Sequence, residues 1–166
     1  MEVYLLRHGV AQDRDPKKYP DDRLRPLTME GLERMREIVR GLMKIGVEFD
    51  AIFDSGYTRA RQTAEAVTDA YRIDSRDIQT AAALEPECDP AELVALLEAQ
   101  RAHKRILLVG HEPHLSKSVA YLAGLRSAGA IDFKKGALCR VDVETPRKGA
   151  GTIVWLLPPK VLRKIR

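Results

Sequence analysis

The 166-residue sequence has few aromatic residues, no long apolar run and no region rich in glycine and serine. Aromatic side chains make up only 5% of the chain, which argues against a nucleic-acid-binding surface built from stacked rings. No apolar run is long enough to cross a bilayer, and the N-terminus has an acid where a signal peptide has bases. Without a flexible linker or an internal repeat, we expect one cytoplasmic domain that binds neither nucleic acid nor membranes.

Cysteine is also scarce, because the chain has only Cys88 and Cys139. The two are far apart in sequence and form no C-x-x-C pair, so we expect reduced thiols rather than a disulfide. His111 and His114 are three residues apart, and together with one cysteine they offer an alternative zinc site and hence a metal-dependent hydrolase. No third ligand follows at a spacing typical of zinc motifs, so we predict neither a metal nor a cofactor.

Positive charge is in modest excess, with 28 lysine and arginine residues against 24 acidic residues. This balance permits an acidic or phosphorylated partner without requiring one. Much of the excess lies at the end of the chain, in "KVLRKIR". A block of like charges usually stays solvated, so we predict a single domain over residues 1–158 and a basic C-terminal tail over residues 159–166.

Short apolar segments alternate along the chain with longer segments of helical periodicity. The predicted strands cover residues 3–7, 49–55, 78–84, 105–111, 138–144 and 151–157. The predicted helices cover residues 28–45, 58–71, a segment that begins at Asp89 and Pro90, and residues 113–124. This order predicts an α/β fold, in the form of a three-layer α/β/α sandwich with a mostly parallel central sheet.

Polar side chains follow several of the predicted strands at the point where each strand ends. In open α/β sheets the ligand site lies beyond the carboxyl ends of the strands. The residues predicted to meet there are Arg7, His8, Ser55, Arg59, Glu85 and His111. Guanidinium groups match phosphate oxygens, and a neutral imidazole can attack phosphorus. Two histidines, two arginines and a carboxylate therefore favour phosphoryl transfer without a metal.

Three segments, "LLRHG", "SGYTRARQTA" and "LLVGHEP", resemble the histidine phosphatase superfamily, which has the phosphoglycerate mutase-like fold. The resemblance implies that His8 is the nucleophile and that Arg7 and Arg59 bind the phosphate. It also implies that His111 donates a hydrogen bond to the phosphate. Gly56 departs from the family pattern, which often has proline at this position, and we expect a looser turn there.

Two further segments, "RPLTMEGLERM" and "ALEPECDPAEL", resemble the SixA-type phosphohistidine phosphatases, which lack the large insertions of the mutases. The resemblance implies a shallow, open site that acts on phosphohistidine of a signalling or phosphotransfer protein. Glu85 is the candidate general acid, with a register two residues away as the alternative. Arg25 either binds phosphate or substrate at the rim of the site, or pairs with Asp21 or Asp22 on the surface.

Two other functions are compatible with the sequence. The same site could serve a small phosphate ester, such as a sugar phosphate or a nucleotide. The chain could instead be a non-catalytic module that binds phosphate or a polyanion through its basic tail. Such a module would not need His8 and His111 together, and its affinity would fall steeply with salt.

Overall fold

A computed structural model describes residues 1–165 and contains six strands and five α-helices within them. The strands are β1 (Glu2–Arg7), β2 (Ala51–Asp54), β3 (Ile78–Thr80), β4 (Arg105–Gly110), β5 (Leu138–Val143) and β6 (Gly151–Leu157). The helices are α1 (Met29–Lys44), α2 (Thr58–Tyr71), α3 (Pro90–Ala99), α4 (His114–Ala123) and α5 (Pro159–Leu162). Short 3₁₀ turns cover Asp22–Leu24, Ser75–Asp77 and Ala82–Leu84.

The strands form one mixed sheet in the order β3-β2-β4-β1-β5-β6. β1 to β4 are parallel to one another, whereas β5 and β6 run antiparallel at one edge. Buried side chains of α1 and α2 pack on one face of this sheet, and those of α3 and α4 pack on the other. The predicted α/β sandwich with a mostly parallel sheet is therefore confirmed.

The helix starts follow from side-chain caps. The Thr28 hydroxyl oxygen accepts a hydrogen bond from the Gly31 N–H at 2.8 Å at the start of α1. Asp89 accepts from the Ala91 N–H at 2.8 Å, and Pro90 occupies the first position of α3, where its missing N–H is no loss. These caps fix the directions in which both helices leave the site end of the sheet.

The strand predicted over residues 78–84 is shorter than expected. It ends at Thr80, and the chain then makes a 3₁₀ turn over Ala82–Leu84. Leu84 is fully buried in the core, whereas Gln79 and Thr80 are exposed, so packing of the leucine favours a turn over further pairing with β2. This difference matters for Glu85, because the turn changes where its side chain emerges.

The C-terminal segment is not a free, solvated tail over the residues that the structure describes. Residues Pro159–Leu162 form α5, and Leu162 is 0% exposed against the core beneath α1. Gly41 of α1 permits this contact, because a Cβ there would lie 2.1 Å from the Leu162 carbonyl oxygen. Arg166, the last residue of the predicted tail, lies outside the described residues. The domain limit at residue 158 stays a prediction.

Within residues 1–165, none of the helices is both long and apolar enough to span a membrane.

Candidate active site

The carboxyl ends of β1 and β4 bring two histidines together. His8 follows β1, and its backbone N–H donates to the Gly110 carbonyl at the end of β4 at 3.1 Å. His111 follows Gly110, and the two imidazole centroids are 4.9 Å apart. Both rings line a cavity of about 390 Å³. The other residues of its wall are Arg7, Arg14, Asp22, Arg25, Tyr57, Arg59, Pro86, Glu87, Glu112 and Lys135.

The ring of His8 is fixed in one tautomer. Its Nδ1 lies 2.7 Å from the Gly9 carbonyl oxygen, which can only accept a hydrogen bond, so Nδ1 carries the proton. Nε2 therefore keeps a free electron pair. Burial, aided by the charges of Arg59 and Arg7, lowers the pKa of His8 to about 3. The ring is neutral at physiological pH, which is the state that a nitrogen nucleophile needs.

The backbone of Gly9, which orients His8, is contacted by Thr63 on one side and by Met35 on the other. The Gly9 N–H donates to Thr63 Oγ1 at 3.1 Å, and the Thr63 hydroxyl donates to the Arg59 carbonyl at 2.7 Å. A Cβ on Gly9 would lie 2.7 Å from Met35 Cγ, so only glycine fits against the core at this point. Thr63 thus positions His8 through Gly9 without lining the cavity.

Two guanidinium groups face the cavity with spare donors. Arg7 Nη1 donates to the Phe133 carbonyl at 2.6 Å. Arg59, which is 4% exposed, donates to the Asp22 carbonyl at 2.8 Å and pairs with its carboxylate at 3.0 Å. The Nε atoms of both arginines are buried and have no hydrogen-bond partner among residues 1–165. Two guanidinium groups in the wall favour an anion in the cavity through their positive charge.

Ser55 contacts the ring of His111. Ser55 Oγ lies 2.7 Å from His111 Nε2 and accepts from the Tyr57 N–H at 3.4 Å. When the Ser55 O–H donates to Nε2, the proton of the neutral ring lies on Nδ1. This Nδ1 is buried and has no partner among the described residues. Burial, with the neighbouring His8 and Arg59, lowers the pKa of His111 to about 2.

Arg25 pairs with Asp22, as one of its two predicted descriptions has it, and its binding of phosphate or substrate stays a prediction. Its Nε lies 2.9 Å from Asp22 Oδ1, and its Nη1 donates to the Gln12 carbonyl at 2.7 Å. It also lines the cavity, next to the contact between Asp22 and Arg59. The hydrogen bond from Arg25 is the main reason why the pKa of Asp22 is lowered. Asp22 is therefore ionised and links the two arginines.

Comparison with known proteins follows this geometry. Residues 3–86 match the sequence model of the histidine phosphatase superfamily, branch 1. The chain belongs to the histidine phosphatase superfamily. It is 33% identical to an uncharacterised protein of Picosynechococcus sp. (strain ATCC 27264 / PCC 7002 / PR-6), over 95% of this chain and 100% of the relative. It is 28% identical to phosphohistidine phosphatase SixA of Escherichia coli (strain K12), over 96% of this chain and 94% of that protein.

The structure is also similar to a solved histidine phosphatase. The match is to protein histidine phosphatase SixA complexed with tungstate, with a TM-score of 0.84 and 28% identity. It covers 96% of this chain and 98% of that structure. The predicted membership of the superfamily, with a likeness to SixA, is confirmed.

Four of the predicted site residues of this superfamily member lie together in the cavity: Arg7, His8, Arg59 and His111. Glu85 is not brought to them. Its carboxylate pairs with Arg23 at 2.9 Å on the outer side of the site. The 3₁₀ turn before Glu85 moves the register by two residues, so Glu87 lines the cavity instead. The chemical roles of all these residues stay predictions.

The alternative zinc ligands are not assembled. His114 is buried in α4, where its Nε2 lies 3.4 Å from Ser118 Oγ. Cys88 donates its thiol to the Ala82 carbonyl, and Cys139 is buried on β5. Over the part of the chain that the structure describes, no group of three or more His, Cys, Asp or Glu residues could hold a metal ion.

Sequence reasoning missed three features near the site. Thr63 lies four residues after Arg59 on α2, and this i, i+4 spacing was the available signal for their contact. Arg61 pairs with the buried Asp54 at 2.7 Å. Gly56 has φ +78, which the fixed ring of proline cannot adopt, so the turn differs in shape from a proline turn rather than being merely looser.

Proposed function

We propose that this chain is a phosphohistidine phosphatase that carries the phosphoryl group transiently on His8. The chain is a phosphatase of the histidine phosphatase superfamily, and its likeness to SixA extends over nearly the whole chain. The observation that carries the proposal is the state of His8. Its Nδ1 is occupied by the Gly9 carbonyl, and its Nε2 faces an arginine-lined cavity with a free electron pair.

The neighbouring donors suit the charge that develops during transfer. The Nε–H groups of Arg7 and Arg59 and the Nδ1–H of His111 are buried donors without partners among residues 1–165. Donors that are fixed in a dry site stabilise negative charge on the equatorial phosphoryl oxygens, and they need no reorganisation during the reaction. In this proposal the side chains of Arg7, Arg59 and His111 bind the phosphate in both steps.

The reaction then proceeds in two displacements. In the first, His8 Nε2 forms a bond to phosphorus while the bond from phosphorus to the substrate imidazole nitrogen breaks. The leaving nitrogen takes up a proton, and the substrate histidine departs. In the second, water attacks phosphorus, the bond to His8 breaks with its electron pair returning to Nε2, and inorganic phosphate is released.

The acidic residues of the cavity bear on the choice between a phosphoramidate and a phosphate ester. Asp22 is held ionised by Arg25 and Arg59, and Glu112 accepts hydrogen bonds from the backbone and the hydroxyl of Ser116. Neither is free to protonate a leaving alkoxide, whereas Glu87 also lines the cavity and has no ion pair among residues 1–165. An imidazole leaving group is basic enough to take its proton from solvent, whereas a sugar or nucleotide alkoxide needs a positioned acid. Glu87 could supply that proton, so the choice of phosphohistidine over a small phosphate ester rests on the likeness to SixA.

The test begins with covalent labelling. Brief incubation with a ³²P-phosphohistidine protein should leave acid-labile, alkali-stable label on the wild type and on His103→Ala, whose histidine lies far from the cavity. His8→Ala should carry no label and should lose turnover. Normal turnover in His8→Ala would overturn the mechanism.

A substrate panel tests the specificity. We expect kcat/KM for a phosphohistidine protein to exceed that for sugar phosphates and nucleotides by at least a hundredfold. The opposite order, with labelling of His8 preserved, would assign the site to small esters instead.

A further inference from the structure

A second cavity, of about 500 Å³, begins beside the site and runs along α1 toward α5. We call it the basic groove. Its apolar wall consists of Val10, Met35, Ile38, Pro158 and Pro159. Its charged rim consists of Arg34, Asp132, Lys134, Lys135, Lys160 and Arg163. The groove therefore combines an apolar floor with five cationic side chains and one anionic side chain.

The basic groove adjoins the active-site cavity. Gly9, whose carbonyl orients His8, lines the groove. Lys135 lines both cavities. A chain segment lying in the groove would thus come next to the active-site cavity.

The positive charge of the rim is only partly neutralised within the molecule. Lys134 pairs with Asp132 at 2.9 Å, and Arg34 and Arg163 pair with glutamates of α1. Lys135 and Lys160 make no ion pair within residues 1–165. The ammonium groups of Lys135 and Lys160 are therefore available to pair with an acidic partner.

The C-terminal segment gives the groove one of its walls. Burial of Leu162 fixes α5 on α1, and this places Lys160 and Arg163 at the rim. The basic residues at the end of the chain thus have a defined position beside the site.

We propose that the basic groove binds an acidic, apolar segment of the phosphorylated protein substrate and so presents its phosphohistidine to His8. This inference rests on the proposed function. Charge complementarity selects glutamate and aspartate for the rim, and the apolar floor selects leucine-like side chains next to them. The floor also favours a polypeptide over nucleic acid, whose backbone would leave apolar surface unmatched.

Two peptides of about 15 residues test the proposal. Both carry a central phosphohistidine flanked by leucines, and they differ only in having glutamates or glutamines at the other flanking positions. We expect the wild type to favour the glutamate peptide about tenfold in kcat/KM, the size that two or three exposed ion pairs would give. The preference should shrink at high salt.

The variant Lys134→Glu/Lys160→Glu reverses two rim charges without touching the active-site cavity. It should abolish or invert the preference between the peptides and leave turnover of phosphoramidate, which cannot reach the groove, unchanged. The matched control is Lys104→Glu/Lys148→Glu, which makes the same charge change at the opposite end of the sheet, before β4 and after β5. This control should keep the wild-type preference.

Several outcomes would contradict the proposed substrate binding in the basic groove without contradicting the proposed phosphatase activity. These are an undiminished preference in the rim variant, an equal loss in the control, or tighter binding of duplex DNA than of the glutamate peptide. If no phosphohistidine substrate is turned over, the proposed function fails instead. Fluorescence anisotropy with the unphosphorylated glutamate peptide still tests binding in the basic groove. The affinity for this peptide must be weaker in the rim variant and unchanged in the control.

Discussion

Replacing Ser55 with alanine is expected to lower kcat/KM for phosphohistidine by about ten- to a hundredfold. Ser55 is 2% exposed and lies 2.7 Å from His111 Nε2, so alanine removes a buried polar partner of this nitrogen. Without this donor, nothing in the described contacts keeps the His111 proton on Nδ1. Loss of one fixed donor to a transition-state oxyanion typically lowers the rate by about 10²–10³-fold. Part of the molecules will keep Nδ1–H, so the expected loss is smaller.

The assay has two readouts and a matched control. The ¹⁵N chemical shifts of the imidazole should show His111 protonated on Nδ1 in the wild type, and on both nitrogens in exchange in Ser55→Ala. Ser118→Ala is the control, because Ser118 makes a similar buried contact with His114 outside the cavity. Both variants should lose about 1–3 kcal/mol of stability, since each leaves a buried ring nitrogen without its partner. Only Ser55→Ala should lose turnover.

Two results would refute this reasoning about Ser55. One is a value of kcat/KM within twofold of the wild type at equal folded fraction. The other is a wild-type His111 that carries its proton on Nε2, which would make Ser55 an acceptor and leave Nδ1 unable to donate to phosphate.

Three further predictions concern Glu85, pH and Gly56. Glu85→Gln should change kcat for phosphohistidine and for small esters less than threefold, because Glu85 pairs with Arg23 outside the cavity. Glu87→Gln, which removes a carboxylate of the cavity wall, is the positive comparison, and a selective loss of ester turnover in Glu85→Gln would restore the acid role. Folding lowers the pKa of His8 to about 3 and that of His111 to about 2, so below pH 6.5 the unfolded chain binds more protons. The free energy of unfolding should therefore fall as the pH drops from about 7 toward 3, by about 2 kcal/mol per histidine at pH 5; denaturant titrations in which His8→Asn keeps the full wild-type slope would contradict this. Gly56→Ala should cost about 1 kcal/mol and reduce kcat, because φ is +78 and the new Cβ would lie 3.0 Å from Thr80 Cγ2. Gly46→Ala has φ +71 in open space, so it should lose similar stability and keep its kcat.

The positions of four site residues could be predicted because a simple rule governs them. Parallel strands buried on both faces show as continuous apolar runs, and their carboxyl ends share one edge of the sheet. Arg7, His8 and His111 therefore had to converge once β1 and β4 were recognised. Arg59 followed from the start of α2 just beyond β2.

The remaining contacts depend on loops and turns that have no periodic signal. Asp22 reaches Arg59 only because the segment between β1 and α1 folds over the cavity. Glu85 points away because a 3₁₀ turn replaces the last part of a predicted strand, which burial of Leu84 favours. The contact of the C-terminal segment with the core was not predicted for a similar reason. The segment is rich in basic residues, and nothing in that pattern indicated that Leu162 is buried.

The close approach of Gly9 to Met35 joins the nucleophile to the interior of the protein. The carbonyl that orients His8 belongs to a residue whose backbone rests on a core side chain of α1. Only the backbone of Gly9 separates the imidazole of His8 from the core side chain of Met35. Changing the volume of Met35, or oxidising its sulfur, would consequently displace the imidazole of His8. The turnover rate would therefore depend on how well this part of the core is packed.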